Sequence, residues 1–187
     1  MVSQTRWVWL DMEMSGLDPA RHKILEMATV ITDEHLNVVA EGPDMVAWQP
    51  PEVLDAMDDW CTEQHGKSGL TARVQNSTNN VRDIERATME FLEQHIAPNT
   101  APICGNSVWQ DKRFLYRYMP EVSDFCHYRI IDVSSLKILS TAWLRPSSGM
   151  QLRKARNHRA KDDVYESIEE LKYYREMLFV PAARRDK

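Results

Sequence analysis

The sequence has little cysteine. Its three cysteines, Cys61, Cys104 and Cys126, are far apart, and no two of them form a Cys-x-x-Cys pair. An odd number of isolated cysteines argues against a disulfide framework, and the missing pair argues against a thiolate zinc site. We therefore expect reduced thiols in or near the core of a protein from a reducing compartment.

Long hydrophobic runs are also missing. No apolar stretch approaches the roughly 18 residues that a membrane-spanning helix needs. The first residues, "MVSQTRWVWLDMEM", have neither the basic start and apolar region of a secretory leader nor an Arg/Ser-rich amphipathic pattern. These features predict a cytoplasmic protein without a membrane partner.

An excess of positive charge is the third absence, because the net charge is −5 at pH 7. A protein that follows a long phosphate backbone gains its affinity from many Lys and Arg contacts. A nucleic-acid partner is not excluded by the negative charge. Its contact with this protein should, however, be short and local.

The composition is that of an ordinary globular protein, with 43% hydrophobic and 27% charged residues in a chain of 187. We expect one domain over residues 1–180 and a short C-terminal tail over 181–187. Strand patterns come first and then helices alternate with strands, which predicts an α/β domain whose mixed central β-sheet is flanked by helices. The expected strands are 6–11, 23–32, 36–48 (a continuation or a hairpin, bent at Gly42-Pro43), 101–104 and the start of 128–136, and the expected helices are 51–66, 79–96, 109–119, the end of 128–136 and 161–178.

Two acids stand at the end of the first strand, in "WLDMEM". Asp11 and Glu13 are two residues apart, so on a strand their side chains share one face. Hard divalent cations prefer oxygen ligands, and a carboxylate pair on a rigid strand suits Mg²⁺ or Mn²⁺. Two solvated acids at the end of a surface strand explain this pair equally well.

Two further acids follow along the chain. Asp111 comes after a buried strand and the turn Gly105-Asn106, in the first turn of a helix, where the helix dipole alone would favour an acid. Asp163 opens the last long helix, five residues after His158, and either Asp162 or Asp163 could simply cap that helix. A lone histidine near a helix start is more often structural than catalytic, so each signal is weak by itself.

Taken together, these residues resemble the motif pattern of the DEDDh 3′→5′ exonucleases, and within them the oligoribonuclease family. The similarity covers nearly the whole chain and includes "ILEMATVITD" and "GNSVWQDKRFL". The most specific stretches are "MDDWC…HGKSGL" and "HYR-x-x-DVS". The resemblance implies a single domain with a ribonuclease H-like fold and 3′→5′ exoribonuclease activity on short oligoribonucleotides, especially diribonucleotides.

The resemblance also implies a catalytic centre. Asp11, Glu13, Asp111 and Asp163 would bind two divalent cations, Mg²⁺ or Mn²⁺. His158 would be the general base that takes a proton from the attacking water, a task that suits an imidazole near neutral pH. Asp162 is not expected to be a ligand and more naturally caps the helix or supports the ligands.

Substrate contacts follow from the same resemblance. Leu17 would wedge between two bases and Trp60 would stack on one, with His65 nearby, although plain core packing also explains Leu17 and Trp60. The 5′ phosphate would be held by Ser107, Arg129 and Ser134. Tyr128 would be contributed across the interface of a homodimer, which would make the active site composite.

Alternatives to a short-RNA exonuclease remain open at this point. A DNA-trimming exonuclease of the same superfamily would need a grip on long strands, which the weak basicity and the phosphate-binding residues disfavour. A binding module that has lost catalysis should lack a ligand or His158, and all five residues are present. The basic run over residues 152–161 could steer an anionic substrate or could be a solvated loop.

Overall fold

A five-stranded mixed sheet forms the centre of the protein, in the strand order β3-β2-β1-β4-β5. The structure is a computed structural model that describes residues 5–143 and 159–179. β1, β2 and β3 are antiparallel neighbours, whereas β4 runs parallel to β1 and β5 parallel to β4. The elements are β1 (Arg6–Met14), β2 (Ile24–Asp33), β3 (Val38–Val46), α1 (Pro51–Asp55), α2 (Asp59–Lys67), α3 (Leu70–Asn76), α4 (Val81–His95), β4 (Pro102–Gly105), α5 (Trp109–Tyr118), α6 (Pro120–Phe125), β5 (His127–Asp132), α7 (Val133–Trp143) and α8 (Ala160–Leu178).

The two faces of the sheet carry separate cores. Val8, Leu10 and Met12 of β1 belong to a core that α4, α5 and α6 complete on one face. Trp9 belongs to the core of the opposite face, which α7 and α8 cover. Side chains alternate along a strand, so Asp11 and Glu13 continue the face of Trp9 and point toward α8.

The expected fold class is confirmed as a single domain with a mixed sheet and flanking helices. β1 is longer than expected and extends to Met14, so both acids lie within the strand and not at its end. β3 is one strand, paired to β2 as a hairpin, and Gly42-Pro43 forms an irregularity in its register, not the end of a strand. The expected domain boundary at residue 180 stays a prediction, since residues 181–187 lie outside the described residues.

The prediction of a single helix over residues 51–66 was wrong. α1 ends at Asp55 and α2 begins at Asp59, because the Asp58 carboxylate accepts a hydrogen bond from the Cys61 backbone N–H and caps a new helix. Two short helices, α3 and α6, were not expected at all. Gly66 does not end α2, which continues to Lys67. The glycine with a left-handed backbone in this region is Gly69, at φ 74°, between α2 and α3.

The three cysteines are buried and unpaired, as expected. Among the described residues no helix has both the length and the apolar character required to span a membrane.

Candidate active site

Three carboxylates meet where β1 faces the start of α8. Asp11, Glu13 and Asp163 each offer one oxygen, and these atoms all lie within 4.8 Å of one another. β1 holds its two acids rigidly because it is hydrogen-bonded to β2 on one side and to β4 on the other. Asp163 lies in the first turn of α8, which packs on the same face of the sheet.

Asp111 joins these acids from the other side of β1. It lies in the first turn of α5, as expected, and its Oδ1 accepts a hydrogen bond of 3.0 Å from the Met12 backbone N–H, between the two β1 acids. Gly105 ends β4 ahead of this helix and lies so close to β1 that a Cβ there would be 2.8 Å from the Leu10 carbonyl oxygen. Asp111 therefore lies beside the β1 acids and its charge acts on Asp11, while the group within 4.8 Å consists of Asp11, Glu13 and Asp163.

Burial and mutual repulsion make this cluster unfavourable in its charged form. Burial first, and then the charges of Asp111, Asp163 and Glu13, raise the pKa of Asp11 well above its usual range. Burial and the charges of Asp163 and Glu26 raise the pKa of Glu13 to about 8. Burial also raises the pKa of Asp111 to about 8, although hydrogen bonds from its own backbone and that of Met12 oppose the shift.

This donor set fits hard divalent cations. Carboxylate oxygens are the ligands that Mg²⁺ and Mn²⁺ prefer, and the charge of a cation reverses the penalty for ionising several buried acids together. Metal binding by Asp11, Glu13, Asp111 and Asp163 stays a prediction, which their placement supports.

Two expectations concern the start of α8: His158 as the general base and Asp162 as the helix cap. His158, the expected general base, lies outside the described residues. Asp162 is exposed and is the third residue of α8, whereas the N-cap position belongs to Arg159. Asp162 is thus not the N-cap of this helix, and its place in the first turn is one that the helix dipole favours.

Leu17 is held out into solvent by its loop. Its side chain is 71% exposed, so core packing does not explain it. Its carbonyl oxygen accepts hydrogen bonds from the side chains of Gln110 and Arg113, the latter at 3.3 Å. Tyr118, also on α5, places its hydroxyl 2.8 Å from the carbonyl oxygens of Pro19 and His22. The helix that carries Asp111 therefore clamps the loop that carries Leu17.

Trp60 and His65 both lie on α2 but in different surroundings. Trp60 is 60% exposed, so core packing does not explain this side chain either. His65 is 1% exposed and lies in the core, and its expected contact with substrate stays a prediction. Its Nε2 donates a hydrogen bond to the Met14 carbonyl oxygen, and its Nδ1 lies 3.9 Å from the Glu13 carboxylate. His65 therefore supports the end of β1 and a candidate ligand.

Ser107 and Ser134 form a pair of hydroxyls, 3.1 Å apart. Ser107 adopts a left-handed conformation at φ 51°. The backbone N–H groups of Ser107 and Ser134 both donate to Asp132 Oδ1 at 3.0 Å, and Asn106 Oδ1 accepts from the Ser134 hydroxyl. The sequence interpretation missed Asp132 and Asn106, although an Asp two residues before a serine at a helix start is a recognisable capping signal.

The remaining expected substrate contacts lie on β5, the edge strand of the sheet. Tyr128 is 68% exposed, and the Arg129 guanidinium lies 4.9 Å from the centroid of its ring. Arg129 is also exposed. Its strand ends at Asp132, whose carboxylate accepts the hydrogen bond from the Ser134 backbone N–H. Both side chains are available to a ligand or to a second protein chain.

The described part of the basic run is paired with acids. Arg159 Nε lies 3.3 Å from Glu26, and Lys161 Nζ donates to Glu41 at 2.8 Å. These two cations therefore attach α8 to β2 and β3, and are not loose charges of a solvated loop. Residues 152–158 of the run lie outside the described residues.

Comparison with known proteins gives consistent matches. A family model described as "Exonuclease", of the RNase T type, matches residues 8–171. The oligoribonuclease of Acinetobacter baylyi is 52% identical over 94% of this chain and 96% of its own length. The oligoribonuclease of Vibrio campbellii is 50% identical over 95% of this chain and 97% of its own length.

Solved structures show the same fold at low sequence identity. E. coli exonuclease I in a complex with single-stranded DNA matches 94% of this chain with a TM-score of 0.70 and 17% identity. Exonuclease I from Methylocaldum szegediense matches 93% with a TM-score of 0.65 and 20% identity. This chain spans 41% of the length of each of those proteins. The expected ribonuclease H-like exonuclease fold is thereby confirmed.

The acid cluster predicts how stability depends on pH without metal. The pKa of Glu13 and that of Asp111 are raised to about 8, whereas carboxyls in an unfolded chain titrate near pH 4. The folded protein therefore holds more protons between about pH 4 and 8, so it should lose stability as pH rises through that window. Thermal unfolding at several pH values with a chelator measures this loss.

Adding a divalent cation, or removing one of the carboxylate charges, should restore the stability that is lost at high pH. At pH 8, Mg²⁺ or Mn²⁺ should raise the unfolding temperature by about 3 °C or more, which is about 1 kcal/mol for a domain of this size. Asp11→Asn should raise the metal-free unfolding temperature and remove most of the gain from metal. Asp162→Asn, at an exposed neighbouring acid, is the matched control and should behave as the unmodified protein. A metal-free stability that does not change with pH would contradict this account.

Proposed function

Because the chain belongs to the oligoribonuclease family of exonucleases, we propose that it hydrolyses short oligoribonucleotides from the 3′ end, and diribonucleotides above all, to mononucleotides. The observation that carries this proposal is the meeting of Asp11, Glu13 and Asp163 within 4.8 Å, with Asp111 beside them. A chain with these acids in place is a metal-dependent exoribonuclease and not a binding module that has lost catalysis.

The four acids would hold two divalent cations. When bound, such cations supply an activated water and neutralise charge that develops on the phosphate and the leaving oxygen. His158 would take the proton from the attacking water as general base. His65 would hold the Glu13 carboxylate in place from the core, through the contact of 3.9 Å.

The substrate would be held at both ends. Leu17 would separate the two bases, and its clamped loop supports this role because the side chain is exposed and its carbonyl is held by Gln110 and Arg113. Trp60 would stack on a base, an interaction that tolerates any sequence. Such contacts suit a short substrate, and the negative net charge offers little grip on a longer strand.

The other end would be the 5′ phosphate, bound by the hydroxyls of Ser107 and Ser134 and by Arg129. Asp132 accepts the backbone N–H groups of both serines and so holds their hydroxyls side by side, where a phosphate would replace the contacts that they make with each other and with Asn106. A guanidinium offers a phosphate two parallel hydrogen bonds. A phosphate held in this way leaves no path for further nucleotides, which favours dinucleotides.

The second partner would be another copy of this chain. β5 is an edge strand, and the helix that follows it exposes Ile138 (68%) and Trp143 (73%). A homodimer that covers these side chains would bring Tyr128 of one protomer toward the substrate of its partner. A cytoplasmic location, expected from the sequence, stays a prediction.

The first test is hydrolysis of a 5′-phosphorylated diribonucleotide, of a longer RNA and of a DNA strand, with Mg²⁺ or Mn²⁺ and with a chelator. We expect fast, metal-dependent cleavage of the dinucleotide and slow attack on both longer strands. Asp163→Asn should lower turnover to background, and His158→Ala should lower it about 10²–10⁴-fold with little effect on substrate affinity. Asp162→Asn is the control that should retain activity. Preference for the DNA strand would favour a DNA-trimming enzyme instead.

Phosphate recognition makes a separate prediction. Arg129→Ala should raise KM for the 5′-phosphorylated dinucleotide by about tenfold or more, because a hydrogen bond to a charged group contributes about 1.5–3 kcal/mol. KM for the same dinucleotide without its 5′ phosphate should change little. Arg82→Ala, at an exposed position on α4, is the matched control. An equal loss on both substrates would remove the phosphate role.

The composite site is tested by mixing two inactive variants in one dimer. If Tyr128 acts across the interface, each active site takes Asp163 from one protomer and Tyr128 from the other. Tyr128→Ala in one chain and Asp163→Asn in the other then leave one site of a mixed dimer intact and put both changes in the second site. Co-expressed chains with two different tags should then recover about one quarter of the unmodified activity, since half of random dimers are mixed and each has one complete site. No recovery in purified mixed dimers would show that both residues serve the same protomer.

A further inference from the structure

Glu26 is a carboxylate in the middle of the protein, and none of the steps above uses it. It lies on β2 with its side chain fully buried at 0% exposure. Its Oε1 is 2.6 Å from Arg73 Nη1 and 3.3 Å from Arg159 Nε, and its Oε2 accepts the Ala160 backbone N–H at 3.4 Å. A buried charge is tolerated only where it is paired and hydrogen-bonded, and Glu26 meets that condition with groups from α3 and from the start of α8.

The contact with Ala160 serves the start of α8. The first N–H groups of a helix have no partner within the helix, and a side chain at the N-cap normally accepts one of them. Arg159 occupies the N-cap position of α8 and provides no such hydrogen bond. Glu26 supplies the acceptor from a neighbouring strand, so the sheet itself holds the turn that delivers Asp163.

The contact with Arg159 concerns the acids of the candidate metal centre. Glu13 and Glu26 are directly opposite residues in the antiparallel pair of β1 and β2, so their side chains lie on one face of the sheet. The charge of Glu26 raises the pKa of Glu13, and that of Arg159 lowers it, so both groups lie within electrostatic reach of Glu13. Arg159 is therefore a cation that could pair with a metal ligand if Glu26 did not hold it.

We propose that Glu26 is a positioning residue of the metal centre, which docks the first turn of α8 onto the sheet and keeps Arg159 paired and away from Glu13 and Asp163. This inference depends on the proposed function, because it assumes that those acids bind metal. Without the Glu26 charge, Arg73 and Arg159 lose their shared anion. Arg159 then turns to the remaining carboxylates and competes with the cation that they bind.

Glu41 offers a matched comparison on the same helix. It receives hydrogen bonds from Lys161 and Tyr165 of α8, but this pair is exposed and joins the helix to β3 instead of β2. Loss of that contact removes one attachment of α8 and releases Lys161, which, unlike Arg159, is not among the charges that chiefly shift the pKa of Glu13. A variant at Glu41 therefore separates a general loosening of α8 from a specific effect on metal binding.

The experiment compares Glu26→Gln and Glu41→Gln with the unmodified protein by titration with Mn²⁺, read as a dissociation constant and as the rise in unfolding temperature. We expect Glu26→Gln to bind Mn²⁺ about 10–100-fold more weakly, the usual range for a residue that supports metal ligands. Much of its turnover should return at high Mn²⁺, with KM little changed. Glu41→Gln should bind Mn²⁺ within about twofold of the unmodified protein, since surface ion pairs contribute little.

The double variant Glu26→Gln with Arg159→Gln tests the competing cation and is the substitute if Glu26→Gln alone does not fold. It removes the guanidinium that loses its Glu26 partner and acts on Glu13, so it should bind Mn²⁺ more tightly than Glu26→Gln and close to the unmodified protein. Unchanged Mn²⁺ affinity in Glu26→Gln, or a double variant as weak as the single one, would overturn the inference. An unmodified protein that gains no stability from Mn²⁺ would instead overturn the proposed metal centre.

Discussion

Repulsion among buried carboxylates is the constraint around which this protein is built. Asp11, Glu13, Asp111 and Asp163 are brought together, and burial and mutual repulsion raise the pKa values of Asp11 and Glu13, while burial raises that of Asp111. Nothing in the packing of the chain alone would favour that arrangement. The rest of the fold must therefore hold the acids in place against their own repulsion until a cation binds.

The sheet topology provides this resistance. β1 is the central strand, hydrogen-bonded along most of its length to β2 and further held by β4, so its two acids cannot move apart. α5 and α8 approach from different sides, and each is tied to the sheet by a hydrogen bond close to the acids. The Met12 N–H holds Asp111, and Glu26 holds the start of α8. The same polar contacts that fix the helices thus fix the acids.

Sequence alone could predict the parts of this design that depend on short spacing. Alternation along β1 put Asp11 and Glu13 on one face, and the helical periods placed Asp111 and Asp163 in first turns, as the structure has them. Glu26, Asp132 and the Gln110 clamp were not found, because each acts on residues far away in sequence. Glu26 also lies in a stretch of buried strand residues, where a single acid gives no periodic signal. The burial of His65 was not found either, because the break between α1 and α2 changes which residues face the core.

One helix, α5, carries an acid of the cluster and also holds the loop of the exposed Leu17. α5 carries Asp111 in its first turn, and its Gln110, Arg113 and Tyr118 side chains hold the loop that displays Leu17. A rigid helix cannot move one of these groups without the other, so the helix itself sets the distance between the Leu17 loop and Asp111. Rigid placement of this kind gives a precise geometry that flexible loops do not provide. Under the proposed function, the two bases that Leu17 separates would therefore be held at a distance from the acids that the helix sets, so a dinucleotide would be positioned by the scaffold itself.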